Sequence, residues 1–163
     1  MYSYLRVVFV TVFFVASLSG DEMFFMPVDA KKAQDRVVKR IEGAKEGIYV
    51  GMYSFTNKEI AKALKNASNK GVKIVIVVDE KAGVEDKFSK VGELAKLKNV
   101  EAYVAKGVRS PNDKYDGKMH AKIMSVDGES CIFGSVNWSF TGFGVNYEVM
   151  YESLDKAIVS RCE

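Results

Sequence analysis

Apolar side chains recur at helical spacing after residue 29, which predicts the first helix over residues 30–44 with Asp29 as its N-cap. The residues that form its apolar face are Ala33, Val37, Ile41 and Ala44. The basic side chains on the rest of this helix are interpreted as a solvated face. A strand is predicted over 48–55, and a capping box at 56–59 then opens a helix that ends near Asn69.

The run from Val72 to Val78 is almost unbroken in β-branched residues, which is typical of a strand buried on both faces of a sheet. We interpret it as a central, parallel strand. A helix over about 87–98 and a strand over 100–105 follow, so strands and helices alternate along the chain. This order predicts an α/β fold with a mixed, largely parallel central sheet and helices on both faces, arranged as a sandwich.

A β-hairpin is predicted in the C-terminal third of the chain. Residues 119–126 alternate in polarity, Asp127-Gly128 is a strong signal for a two-residue turn, and residues 131–133 supply the returning strand. Side chains two apart on a strand share a face, so His120 and Lys122 point the same way. The hairpin therefore sets the one histidine of the chain beside a lysine.

The register of this hairpin decides which residues of the returning strand meet the pair. A two-residue loop sets Ser135 opposite His120, whereas a loop one pair wider sets Asn137 opposite His120 and Ser135 opposite Lys122. Either register gathers an imidazole, a cation and neutral hydrogen-bond donors into one patch, as phosphoryl transfer requires. Gly134 is expected to leave room for a phosphate to approach the backbone.

Two further segments are expected to border the patch. Residues 106–118 have no apolar periodicity and are predicted to form a loop that leads into the His120 strand. The cations in that loop suit the backbone of a polyanion, and they are Arg109, Lys114 and Lys118. In a strand predicted over 145–152, Glu148 can orient an imidazole by accepting its second N–H.

These positions resemble the signature of the phospholipase D superfamily, in which the spacing is His-x-Lys-x4-Asp, then Gly-Ser-x-Asn, then an acidic residue. In this chain the signature reads His120, Lys122, Asp127, Gly134, Ser135, Asn137 and Glu148. One copy is present, and the chain resembles the small bacterial non-specific endonucleases of the superfamily in length, export signal and motif position. Asp127 has two open interpretations, catalytic or structural, because an Asp before Gly in a hairpin turn bonds its own backbone.

The resemblance implies a phosphodiesterase that needs neither metal nor cofactor and that hydrolyses DNA, with RNA as the other polynucleotide candidate. His120 of one subunit attacks phosphorus to form a phosphohistidine, and His120 of the partner subunit protonates the leaving oxygen and then activates water. Lys122, Ser135 and Asn137 hold the phosphate oxygens. Since one imidazole cannot serve both roles at once, an obligate homodimer with one shared active site is expected.

The first twenty residues differ from the rest, with Arg6 as their one charge and an apolar run of ten residues over 7–16. This is typical of a secretory signal peptide, and cleavage after Ser19 or Gly20 would leave one catalytic domain over 21–163, periplasmic or secreted. The alternative is an uncleaved segment that anchors the protein to a membrane. Ten residues are fewer than the ~20 that span a bilayer, which favours cleavage.

Composition limits the chemistry further. A chain of 163 residues with 48% hydrophobic content is long enough for one well-buried domain. The net charge of +3 is mildly basic, which permits nucleic-acid binding without requiring it. With a single histidine, a histidine-based zinc site is not expected. Cys131 reads as a buried strand position, so a Cys131–Cys162 disulfide is not favoured.

Two alternative functions stay open at this point. One is a phospholipase D or cardiolipin hydrolase that uses the same chemistry on a lipid headgroup, which the turn over residues 140–143, with a phenylalanine at each end, would favour. The other is a non-catalytic nucleic-acid-binding protein in DNA uptake. It is disfavoured because every reactive position of the signature is present.

Overall fold

The computed structural model describes residues 20–112 and 114–163. Within them, eight strands form one sheet, and five short or medium α-helices and one π-helical turn surround it. The elements in chain order are β1 Glu22–Met26, α1 Ala30–Gly43, β2 Gly47–Met52, α2 Lys58–Asn69, β3 Lys73–Asp79, the π-helical turn Glu80–Glu85, α3 Val91–Leu94, β4 Val100–Arg109, β5 Asp116–Lys118, β6 Lys122–Val126, β7 Ser130–Gly134, α4 Phe140–Gly144, β8 Glu148–Ser153 and α5 Lys156–Val159.

The sheet is mixed, with the strand order β1-β8-β7-β6-β2-β3-β4-β5. Strands β2, β3 and β4 are parallel, so the central parallel strand predicted over residues 72–78 is confirmed. The other five pairs are antiparallel. The predicted α/β fold with a mixed sheet is therefore confirmed, but antiparallel pairs outnumber parallel ones. All five antiparallel pairs involve strands of the second half of the chain: β4–β5, β6–β7 and β7–β8 pair consecutive strands, and β6 and β8 also pair with β2 and β1.

Helices lie on both faces of the sheet, as predicted, but they cover the faces unequally. One face packs against the apolar side chains of α1 and α2 and forms the main core. On the opposite face, helix α5 is attached to β7 by a disulfide between Cys131 and Cys162. The expectation of no disulfide was wrong: Cys131 is buried, but its side chain points away from the main core toward the C-terminal segment. Apolar side chains on the uncovered part of this face stay exposed, namely Met23, Phe25, Tyr49 and Val149.

Two predicted elements differ from those observed. The helix predicted over 87–98 is one turn, Val91–Leu94, and a π-helical turn occupies part of the polar stretch before it. The loop predicted over 106–118 is instead a β-hairpin of β4 and β5. Its strands approach so closely that a Cβ added to Gly107 would lie 2.5 Å from the carbonyl carbon of Gly117. Because glycine has no side chain, the contact between Gly107 and Gly117 adds no apolar position to the sequence pattern. Apolar periodicity therefore could not reveal this hairpin.

The basic face of α1 is not simply solvated, as the sequence suggested. Arg36 and Arg40 both bind the carboxylate of Glu152, which lies on β8 and is fully buried. Arg36 also pairs with Glu22 on β1. A buried carboxylate requires charged partners, and α1 supplies them from the side of the helix next to its apolar face.

The helix N-caps were partly predicted. Asn57, within the predicted capping box, caps α2 by accepting hydrogen bonds from the amides of Glu59 and Ile60, both at 3.0 Å. Asp29 makes no side-chain cap for α1 and instead accepts from the amide of Phe25 at 2.9 Å.

None of the helices in the described part of the chain is both long and apolar enough to cross a bilayer. The predicted signal peptide lies outside the described residues, apart from Gly20.

Candidate active site at the sheet edge

The proposed nucleophile lies at one edge of the sheet, where the parallel strands β2 and β3 end and β6 begins. His120 precedes β6 by two residues, and its ring packs against that of Tyr53, with 4.6 Å between ring centroids. The amide of Tyr53 donates to the carbonyl of Ala121 at 3.0 Å, which extends the β2–β6 pairing to this point. The imidazole is therefore held by the sheet while its other side remains accessible to solvent.

Two lysines surround the same tyrosine. Lys122 is 7% exposed, and its Nζ donates to the backbone carbonyl of His120 at 2.7 Å and lies 4.9 Å from the centre of the Tyr53 ring. Lys118 donates to the Tyr53 hydroxyl at 3.3 Å. The predicted proximity of His120 and Lys122 is thus observed, and Lys118 joins them. Two ammonium groups next to an imidazole form a positive site suited to an anion.

The hairpin register is neither of the two predicted ones. Asp127 and Gly128 both have positive φ, as expected for a tight turn, but Glu129 adds a third loop residue and Val126 pairs with Ser130. The ladder therefore falls halfway between the two predicted registers. Beyond Gly134 the returning strand leaves regular pairing, so Ser135 and Asn137 lie outside the ladder on which both predicted registers depend.

Gly134 is required for packing between strands, which differs from the expected approach of a phosphate. Its φ is +155°, and a Cβ at this position would lie 2.1 Å from the carbonyl oxygen of Val149 on β8. The next residue continues this contact: the Ser135 amide donates to the same carbonyl at 2.9 Å, and the Ser135 hydroxyl accepts from the Val149 amide at 3.1 Å. The hydroxyl proton of Ser135 remains available to a ligand.

Asn137 carries an unsatisfied polar atom. Its Oδ1 is buried and has no hydrogen-bond partner among the described residues. The neighbouring Trp138 amide donates to the Ser54 carbonyl at 3.1 Å, which fixes Asn137 beside the end of β2. Buried polar atoms are nearly always satisfied in folded proteins, so this oxygen is an acceptor that lacks a donor, and the NH2 group of the same side chain is the part that can donate to a ligand.

Glu148 is the acidic group of the site. It begins β8 and accepts a hydrogen bond from the Asn146 amide group at 3.2 Å. Its negative charge acts on both His120 and Lys122, opposing the fall in the pKa of each. This carboxylate therefore acts electrostatically on the imidazole and the lysine, while its side-chain hydrogen bond is to Asn146.

The electrostatics favour a neutral imidazole. Partial desolvation lowers the pKa of His120, and the positive charges of Lys122 and Lys118 lower it further, against the opposing charges of Asp79 and Glu148. Burial likewise lowers the pKa of the Lys122 ammonium, with Glu148 opposing the shift. A neutral imidazole has the free electron pair that a nucleophile needs.

Asp127 lies away from this site, at the far end of β6. Its carboxylate accepts from the backbone amides of Lys45, Glu46 and Gly47, at 2.8 to 2.9 Å. Burial alone would raise the pKa of Asp127, but these three hydrogen bonds together hold it below the usual value. Strand β6 is five residues long, so roughly 16 Å of backbone separates Asp127 from Lys122. Of its two interpretations, the structural one fits.

The other predicted cations lie on the β4–β5 hairpin. Arg109 approaches the carboxylate of Asp116 at 3.5 Å across the two strands, and Lys114 is exposed near the hairpin tip. Of the three predicted loop cations, Lys118 is the one whose ammonium is seen to contact Tyr53. In residues 20–112 and 114–163, no three side chains of His, Cys, Asp or Glu converge in a way that could hold a metal ion.

Sequence reasoning missed two residues of the site, Tyr53 and Asp79. Tyr53 directly follows β2, and Asp79 ends β3 with its carboxylate buried beside the segment before His120. A signal for both was available. The carboxyl ends of adjacent parallel strands are where sites form in open α/β sheets, and both residues lie at such ends.

Comparison with known proteins assigns the chain to a family. Residues 37–163 match the family model described as "Cardiolipin synthase, PLD-like domain". The chain therefore belongs to the phospholipase D superfamily.

Particular relatives agree with this assignment. Phospholipase D from Rickettsia prowazekii (strain Madrid E) is 33% identical over 112 residues, which are 69% of this chain and 50% of that protein. Mitochondrial cardiolipin hydrolase from Xenopus laevis is 26% identical over 127 residues, 78% of this chain and 56% of that protein. The chain spans about half the length of these curated relatives.

Among solved structures, NucT from Helicobacter pylori superposes with a TM-score of 0.84 at 30% identity, covering 86% of this chain and 89% of NucT. Nuc from Salmonella typhimurium, a phospholipase D family member, gives a TM-score of 0.68 at 22% identity and covers 87% of this chain and 88% of Nuc. The second likeness shows the shared fold alone. Both structures are nearly coextensive with this chain, so the chain is similar to small bacterial members of the superfamily.

Proposed function

We propose that this protein is an exported, metal-independent phosphodiesterase that acts as an endonuclease on DNA, with RNA as a further polynucleotide substrate. The observation that carries the proposal is the packing of the single imidazole, His120, against Tyr53, whose ring also contacts the ammonium groups of Lys118 and Lys122. This arrangement combines a nucleophile with positive charge, and we assign the Ser135 hydroxyl and the Asn137 NH2 group as neutral donors to phosphate oxygens. Cofactor chemistry has no part in the proposed reaction.

The proposed reaction has two steps. First, the neutral His120 imidazole attacks phosphorus; the bond between phosphorus and the leaving oxygen breaks, and His120 of the partner subunit gives that oxygen a proton. Second, the now neutral imidazole of the partner subunit takes a proton from water, whose oxygen attacks the phosphohistidine and displaces the first imidazole. Lys122, Ser135 and Asn137 bind the non-bridging oxygens throughout, and Glu148 orients an imidazole. The products are a phosphomonoester and an alcohol.

A second copy of the chain is part of this proposal, because one imidazole cannot be phosphorylated and protonate the leaving group in the same step. The open face of the sheet supports a dimer. Phe25 and Val149 are paired across β1 and β8 and are both exposed, at 54% and 38%. Val149 adjoins Glu148 and bonds Ser135, so this apolar face is continuous with the candidate site. Apolar surface of this kind is typical of a face that a partner covers.

Export is proposed from residues 1–20, with the catalytic domain over 21–163 acting in the periplasm or outside the cell. A disulfide between Cys131 and Cys162 is consistent with an oxidising compartment. Peptide mass analysis of the purified protein would test cleavage after Ser19 or Gly20. A full-length N-terminus on membrane-bound protein would instead favour the anchored form.

The decisive test of substrate class compares nucleic acid with lipid. Mature protein is incubated in parallel with supercoiled plasmid and with phospholipid vesicles that contain cardiolipin, each with and without EDTA. We expect plasmid nicking that resists EDTA, and no nicking by His120→Asn. Lys65→Met, which removes an exposed lysine of α2, serves as the matched control that should nick normally. Nicking that EDTA abolishes and magnesium restores would contradict the metal-independent reaction. Nicking by His120→Asn equal to that of the parent would show that the nicking does not come from this site, which would favour the non-catalytic nucleic-acid-binding protein.

A lipid phosphodiester is the second candidate, with the same residues in the same roles. It is supported by the names of the curated relatives, which are phospholipase D and cardiolipin hydrolase. The ring of Phe140, 81% exposed at the start of α4, also suits contact with lipid. Release of phosphatidic acid from the vesicles without plasmid nicking would select this candidate.

A further inference from the structure

A buried carboxylate outside the superfamily signature contacts the backbone next to His120. Asp79 ends strand β3 and is 5% exposed. Its Oδ2 accepts a hydrogen bond from the amide of Met119 at 3.2 Å, and Met119 directly precedes His120. Strand β2 lies between β3 and β6 in the sheet, so this hydrogen bond reaches past a strand to hold the segment that carries the imidazole.

The other oxygen of Asp79 has a separate task. Oδ1 accepts from the amides of Lys81 and Ala82, at 3.0 and 3.1 Å, and so caps the π-helical turn. Two other N-caps in the chain show that capping needs neither a second oxygen nor a charge. Asn57 caps α2 with its amide oxygen alone, and Asp155 caps α5 with Oδ1 alone. The contact of Oδ2 with Met119, and the charge of Asp79, therefore exceed what a cap requires.

The charge acts at the imidazole. The ionisable groups that influence His120 are Lys118 and Lys122, which are positive, and Asp79 and Glu148, which are negative; the ring of Tyr53 covers one side. Glu148 comes from β8 and Asp79 from β3, so the two carboxylates reach the imidazole from different parts of the sheet. Without Asp79, two cations would face the ring against a single carboxylate.

From this geometry we propose that Asp79 is a positioning residue for His120: it fixes the backbone that carries the imidazole and offsets the positive charge of the two lysines. The inference rests on the proposed role of His120 as the nucleophile. It adds to the site a residue that the signature of the superfamily does not contain.

The test is Asp79→Asn, which keeps an oxygen for the cap but removes the charge and turns an N–H toward the Met119 amide. Because the chain has one histidine, NMR titration reports His120 alone. We expect the pKa of His120 to fall below that of the parent, and hydrolysis of bis-p-nitrophenyl phosphate to slow by roughly 10- to 100-fold through misplacement of the ring. Asp155→Asn removes the charge from an equivalent cap on α5 and should change neither quantity.

An unchanged or raised pKa of His120 in Asp79→Asn would overturn the proposal, as would a titration equal to that of Asp155→Asn. Asp79→Ser provides a second variant. The serine hydroxyl can cap the π-helical turn, but the side chain is too short to reach the Met119 amide. The parent protein gives an independent measurement: slow hydrogen exchange at the Met119 amide is expected, and free exchange there would also overturn the proposal. None of these NMR measurements needs a substrate, so a wrong assignment of activity would leave them interpretable.

Discussion

The ammonium group of Lys122 donates a 2.7 Å hydrogen bond to the backbone carbonyl of His120, two residues before it in the chain. The proposed phosphate-binding cation thus folds back toward the proposed nucleophile instead of extending into solvent. Its buried position lowers the pKa of the ammonium, and the negative charge of Glu148 opposes that fall.

Lys122→Met tests this arrangement by removing the charge and keeping the length of the side chain. We expect kcat to fall roughly 10²- to 10³-fold, the loss typical of one group that stabilises charge in a transition state. Stability should be unchanged or slightly higher, because a buried ammonium is costly to desolvate. Steady-state kinetics and urea unfolding measure the two effects. Lys65→Met is the control, and a large loss of stability with unchanged kcat would contradict the assigned role.

The lowered pKa of His120 predicts how stability changes with pH. The unfolded chain takes up a proton at this residue near its ordinary value of about 6.5, before the folded protein does. The contribution of His120 to stability is therefore fully present above that pH and is lost as the pH falls through the interval down to the folded pKa. Urea unfolding at pH 7.5 and 5.5 measures it. In His120→Gln this part of the pH dependence should disappear, and an identical pH dependence in the variant would refute the shift.

Asp127→Asn is expected to lower the stability of the fold without lowering kcat, although Asp127 belongs to the signature. The amide keeps one oxygen for the backbone amides of residues 45–47 but loses the charge, so stability should fall by about 1–3 kcal/mol. The kcat of the folded variant should match that of the parent, because Asp127 lies at the far end of β6. Asp86→Asn, which alters a single exposed contact to Phe88, is the control and should be nearly neutral. A large fall in kcat at unchanged stability would restore the catalytic interpretation.

The parts of this fold that follow simple periodicity were predictable, and the parts set by pairing across the sheet were not. The β-branched run before Asp79 correctly indicated a central parallel strand, although the second face of that strand is only half-buried, at Val75 and Val77. The pairing of Gly107 with Gly117 left no such trace, since neither residue has a side chain. Strand β1 was expected only as a short extended segment, because two of its five side chains, Met23 and Phe25, are exposed despite being apolar.

The site shows the same division. Alternation along one strand predicted that His120 and Lys122 share a face; in the structure His120 precedes β6, and the Lys122 ammonium contacts the His120 backbone carbonyl instead. The register of the returning strand was wrong by one residue, because Glu129 enters the loop and the sequence signal of Asp127-Gly128 does not fix loop length. Contacts from other strands, such as the hydrogen bond between Asp79 and Met119, depend on the order of strands in the sheet, which no single segment encodes.

The disulfide predicts a measurable loss of stability on reduction. Cys131 and Cys162 close a loop of 31 residues, for which the loss of chain entropy in the unfolded state corresponds to about 3–4 kcal/mol. The double variant Cys131→Ala, Cys162→Ala should lose this amount in urea unfolding, and dithiothreitol should have no further effect on it. The parent should lose a similar amount on reduction. Equal stability of the oxidised and reduced parent would show that the bridge contributes nothing in solution.

The shared active site makes a forecast for mixtures of subunits. Wild-type and His120→Asn chains are unfolded together under reducing conditions, refolded with reoxidation at varied ratios, and assayed by plasmid nicking. If each active site needs two imidazoles, a heterodimer is inactive, so activity should fall roughly as the square of the wild-type fraction, since subunits pair at random. If one chain is sufficient, activity should fall linearly. Sedimentation supplies the second measurement, because the dimer model expects the active species at twice the mass of the chain. A linear decline, or full activity at monomer mass, would assign the general acid to the same chain as the nucleophile, with Glu148 as its candidate.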